Sequence, residues 1–116
     1  MIIRALLQNY GGSNYTSARM VTRNQGDWTY GRFVIRAKMP AGIGTWPAIW
    51  MLPTDYVYGG WPYSGEIDIM EAVGFENAVI HANTHCETYN WNFGIPPSGG
   101  SIGINDVNTQ FHEYAI

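Results

Sequence analysis

The sequence predicts an all-β fold, an antiparallel β-sandwich or part of one, and three observations carry that expectation. Fourteen Gly and six Pro punctuate 116 residues, 15% of the chain is aromatic, and no stretch shows the apolar period of an amphipathic helix. Charged residues make up only 13%, with 9 acidic against 6 basic side chains and a net charge of −3. That balance excludes a disordered segment, and six scattered Lys and Arg give no surface for nucleic acid. No apolar run approaches the roughly 20 residues of a membrane helix, so no membrane partner is expected. The first ten residues lack the length and small-residue cleavage site of a secretory signal, and no signal peptide is expected in this chain. The single cysteine, Cys86, excludes an internal disulfide and leaves the redox compartment open.

The elements follow in order. Residues 15–23 read as a short strand between Gly11-Gly12 and the turn residues Asn24, Gln25, Gly26 and Asp27. Residues 28–39 alternate Phe33, Ile35, Ala37 and Met39 against Arg32, Val34, Arg36 and Lys38, the pattern of a half-buried strand. The run 46–52 (WPAIWML) is almost wholly apolar and fits strand or helix by periodicity alone. A long aromatic loop is expected at 53–65, strands at 66–73 and 78–87, and a polar, Gly-rich connection at 90–110. The apolar run 111–116 closes the chain.

Three of the nine acids fall within six residues, in GEIDIME. On a strand Glu66 and Asp68 share one face while Ile67 and Ile69 share the other, and strict alternation would turn Glu71 inward. A buried unpaired carboxylate is costly, so either the strand ends at Met70 or an extra residue near Ile69 and Met70 forms a β-bulge that returns Glu71 to the acid face. Crowded carboxylates raise the pKa of at least one of them. A protonated acid can then coexist with an ionised nucleophile near neutral pH, as cleavage of a glycosidic bond by two carboxyl groups requires. Taken alone, the cluster fits a solvated acidic strand face or a calcium site equally well.

The surroundings point to carbohydrate, because sugars present flat CH faces to aromatic platforms and Trp46, Trp50 and Trp61 lie within 20 residues upstream of Glu66. With these come YTSARMVT (15–22), WTYGRFVIRAKMP (28–40), GTWPAIWMLP (44–53) and GGWPYSGEIDIMEAVG (59–74). Together they resemble the family 16 glycoside hydrolases, and within them the laminarinase branch of endo-β-1,3-glucanases, over nearly the whole chain. The resemblance implies a concanavalin-like jelly roll of two curved sheets with an open cleft, and a retaining double displacement. It implies Glu66 as nucleophile, Glu71 as general acid and base, and Asp68 as the residue tuning the nucleophile. Trp46 and Trp61 become candidates for sugar stacking, and Arg19 for a contact to substrate hydroxyls. Trp50, inside an apolar run, reads more readily as core.

The strand 78–87 places His81, Asn83 and His85 on one face, which in similar enzymes lines the cleft, so all three are candidate substrate-binding residues and His85 a partner for the acids. His81 and His85 are no metal pair, since four strand residues span about 13 Å. No metal or cofactor is expected. Cys86 points away from His85 and is expected to be a buried thiol. Asn14-Tyr15-Thr16 fits a glycosylation sequon, a triplet common by chance.

The expected substrate is β-1,3-glucan or mixed-linkage β-1,3-1,4-glucan, met outside the cytoplasm in an extracellular or periplasmic setting. The alternatives are a non-catalytic β-glucan-binding module and a related hydrolase of agarose or carrageenan. Residues 1–116 are read as the central portion of a catalytic domain that is incomplete at both ends. Open sheet edges are therefore expected to invite self-association, poor solubility or inactivity.

Overall fold

A computed structural model describes all 116 residues and forms eight strands with a single 3-10 turn at Trp91–Phe93. The first two, β1 (Leu6–Tyr10) and β2 (Ser13–Thr16), make a hairpin in which Tyr10 pairs with Ser13. The two turn residues between them, Gly11 and Gly12, both have positive φ, a combination that glycine adopts without a Cβ clash. The strand expected at 15–23 is therefore only the second arm of this hairpin, and residues 17–22 leave the sheet.

The alternating segment 28–39 contributes β3 (Val34–Ala37), shorter than the sequence suggests, because Gly31 and the residues before it run without a ladder partner. Its alternation holds: Ile35 and Ala37 turn inward while Val34 and Arg36 face solvent. The closing run supplies β8 (His112–Ala115), paired antiparallel to β3 with Ile35 opposite Tyr114.

Four strands build the larger antiparallel sheet: β4 (Ala48–Met51), β5 (Glu66–Glu71), β6 (Val79–His85) and β7 (Ser98–Gly103), in that order. The run 46–52 resolves as strand, and β7 lies inside the stretch 90–110 that reads as a connection. Ser-Gly-Gly-Ser-Ile-Gly has almost none of the β-branched or aromatic residues that mark a strand, so its pairing comes from the neighbouring strand.

The β3–β8 ribbon packs over the inner face of the four-stranded sheet. Met39, Ile69, Met70, Ile80, Val107 and Tyr114 are buried between the two layers, with Ile35, Ile49 and Met51 beside them. Everything on the opposite face of the larger sheet is consequently free to serve a site.

Candidate active site

The extra residue in β5 decides which way its acids point. Against β4, Ile49 pairs with Met70 and Trp50 with Asp68, so Ile69 has no opposite number. Against β6, Asp68 pairs with Asn83 and Glu71 with His81, three residues of β5 against two of β6. Of the two outcomes that alternation left open, the strand does not end at Met70 but runs to Glu71 through a β-bulge. It lets Ile69 and Met70 both enter the core while Glu66, Asp68 and Glu71 share the outer face.

Cross-strand pairing then sets that face out in rows. Glu66 lies opposite His85; Trp50, Asp68, Asn83 and Gly99 follow; then Ala48, Glu71, His81 and Ser101. Each carboxylate meets its own nitrogen donor. The Trp61 indole N–H donates to Glu66 Oε2 at 2.5 Å from the aromatic loop. His85 Nε2 lies 3.0 Å from Asp68 Oδ2, reaching diagonally along β6. Glu71 receives two donors, Trp46 Nε1 on Oε1 at 3.0 Å and Asn83 Nδ2 on Oε2 at 3.2 Å.

Asp68 is the interior member of the group, only 3% exposed. Burial above all, then the charges of Glu71 and Glu66 and a side-chain hydrogen bond with Glu66, push its carboxyl up to about 7. His85 Nδ1, on the other side of the ring, is buried without a hydrogen-bond partner. Glu66, Asp68 and His85 bring one ligand atom each within 4.8 Å of one another.

Trp46 and Trp61 combine a bound edge with an open face: 68% and 39% exposed, they spend their N–H groups on the acids and offer ring surface to the outside. The Trp61 ring also tilts against His85, with centroids 5.8 Å apart. Arg19 makes no ion pair with the acids. Its guanidinium lies over the Trp50 ring, 4.5 Å from the centroid. Trp50 is thus a correction to the expected core residue: it belongs to the acid face, in the row of Asp68. The direct neighbour of an acid across a strand pair shares its face, and this register was the signal that a single sequence withholds.

His81 occupies the expected face opposite Glu71, yet its side chain hydrogen-bonds Glu76, with Nε2 2.7 Å from Oε2, and none of the three acids. Glu76, which sequence reasoning missed, sits in the turn between β5 and β6. Cys86 is exposed rather than buried, since β6 ends at His85 and the chain turns outward, closed by a bond from Cys86 N–H to Tyr89 O.

A family model described as XgeA-like, catalytic GH16 domain matches residues 4–110. A beta-glucanase of Rhodothermus marinus is 54% identical over 100% of this chain and 41% of its own length. A glucan endo-1,3-beta-glucosidase of Cryptopygus antarcticus is 38% identical over 88% of the chain and 37% of its own. The X-ray structure of the laminarinase from Rhodothermus marinus superposes with a TM-score of 0.91 at 53% identity, covering 96% of this chain and 45% of that one. The chain spans about two fifths of the length of the curated relatives it matches.

Proposed function

The chain belongs to the family 16 glycoside hydrolases, and we propose that it acts as an endo-hydrolase of β-1,3-glucan by a retaining double displacement. The observation that carries this reading is the three-carboxylate face of β5, in which one acid is buried and keeps its proton to about 7 while the two flanking it are each held by indole N–H groups.

In the first step the Glu66 carboxylate attacks the anomeric carbon. The glycosidic C–O bond breaks, its electron pair goes to the leaving oxygen, and Glu71 delivers a proton to that oxygen. In the second step water attacks the same carbon, Glu71 takes a proton from it, and the ester bond to Glu66 breaks to regenerate the carboxylate. Asp68, which keeps its own proton up to about 7, hydrogen-bonds Glu66 beside it. Trp46 and Trp61 supply sugar platforms on either side of the acids. The stacking of Arg19 on Trp50, in the row of Asp68, supports a role for Arg19 toward substrate hydroxyls.

A polymeric glucan does not cross a membrane unaided, so this activity belongs outside the cytoplasm. Open edges of the sheets make a second copy of the chain a further partner.

Release of reducing ends from laminarin tests the reading. Glu66→Gln and Glu71→Gln are expected to lower the rate by at least about 10²-fold each. Undiminished activity in both variants, or binding of laminarin by the wild type without cleavage, overturns it. Lichenan, agarose and carrageenan in the same assay define the linkage.

A further inference from the structure

We infer that Asn83 is a positioning residue for Glu71, acting on the sugar through that carboxyl group and not by touching the sugar itself. The inference rests on the reading of Glu71 as proton donor.

The bulge creates the need. It sets Glu71 opposite His81, and His81 is already engaged by Glu76 at 2.7 Å, so the residue directly across the strand pair supplies Glu71 with no donor. Asn83, one row away, reaches diagonally and donates Nδ2–H to Glu71 Oε2 at 3.2 Å. Trp46 takes the other oxygen at 3.0 Å from the segment before β4. Two donors from opposite sides fix the plane of the carboxyl group, while each oxygen keeps a second lone pair for the transferred proton.

The other end of the amide is also seated. A Cβ built on Gly99 would stand 2.5 Å from Asn83 Oδ1, so the side chain fits only because its partner on β7 has none. The amide does not titrate, so its Nδ2–H donates to Glu71 at every working pH. Asn83 is half-buried, with its Nδ2 committed to Glu71 Oε2 and its Oδ1 against Gly99 of β7, so both ends of the amide are already occupied.

A misplaced acid penalises a poor leaving group and spares a good one. Asn83→Ala and the isosteric Asn83→Asp are compared with wild type on laminarin and on a 2,4-dinitrophenyl glycoside of the β-1,3-linked disaccharide. On laminarin, kcat is expected to fall by about 10²-fold with KM within about twofold of wild type, the scale of a displaced general acid. With the dinitrophenyl glycoside, kcat/KM reports the first bond cleavage, needs no proton, and is expected to stay within about threefold. A raised KM with kcat preserved shows a sugar contact and overturns the inference. Equal loss on both substrates, with or without a change in near-UV circular dichroism, shows a merely structural role and also overturns it.

A second measurement does not need turnover. The side-chain amide resonances of Asn83, identified by their loss in Asn83→Asp, are expected to shift in Glu71→Gln, and unmoved resonances overturn the contact. A wild type that shows this coupling but cleaves neither substrate overturns the functional reading, and with it the catalytic purpose of the contact.

Discussion

Asp68 concentrates the physical chemistry of the site in one side chain. It is 3% exposed, lies between two glutamates, and is hydrogen-bonded to His85 at 3.0 Å. Burial first, then two like charges, push its carboxyl up to about 7. An acid whose folded-state pKa is raised binds its proton more tightly when folded. Unfolded, the same group releases it near 4. Between about pH 4 and 7 the folded state therefore holds more protons, and stability falls as pH rises through that window, levelling above it. Asp68→Asn keeps the shape and removes the titration, so its melting temperature is expected to decline less than that of wild type from pH 4 to 7. Parallel declines across those buffers would contradict the assignment. Spacing alone showed the three acids and narrowed Glu71 to a strand end at Met70 or a bulge, and the face of β6 showed His85 as a partner for the acids, which it is for Asp68. The indole donors and the Asn83 bond to Glu71 were not legible. Which nitrogen meets which oxygen depends on the register of β4, β5 and β6, and the likeness of Trp46 and Trp61 to sugar platforms concealed that their N–H edges hold Glu71 and Glu66.

At the level of elements, β7 shows how a strand can be specified by what it lacks. Its sequence carries no strand signal, yet all six of its residues pair along β6. The glycines serve close approach. A Cβ at Gly99 would fall 2.1 Å from the backbone oxygen of Ala82 as well as on the Asn83 amide, whereas one at Gly100 would meet nothing within 4 Å. Gly99→Ala is thus expected to cost about 1–3 kcal/mol, the range for overpacking, and to lower glucan hydrolysis by displacing Asn83. Gly100→Ala is expected to leave stability unchanged or raise it by up to about 1 kcal/mol, since it only restricts the unfolded chain. Urea unfolding of the two variants separates the outcomes, and equal midpoints would show that β6 and β7 yield without cost. The alternation of β3 and the composition of β5 and β6 made those strands readable. The β1 arm and β7 were not, since the first shows no alternation in burial and the second has almost no side chains to alternate.

The whole chain exposes more surface than its mass predicts. Its accessible area is 8706 Å², against about 6300 Å² for an ordinary folded monomer of 13.0 kDa. Only nine residues are buried, and the apolar groups left outside are large ones, among them Leu7, Tyr10 and Ile102. The β1–β2 hairpin packs on no other strand, and a two-stranded hairpin alone is marginal in water. The outer edges of β4 and β7 present unpaired backbone groups along sheets that end there. Hydrophobic area and open edges act together: one gives a concentration-dependent drive to associate, the other a template for strand pairing. The 116-residue chain is therefore expected to elute with a light-scattering mass above 13.0 kDa that falls on dilution, and to bind an apolar dye while still folded. Lys substitutions at Leu7 and Ile102, both on exposed strand positions, should move the mass toward the monomer without altering the acid face. A wild-type monomer that stays monodisperse at every concentration and melts in one sharp transition would show that these surfaces are tolerated in water as they stand.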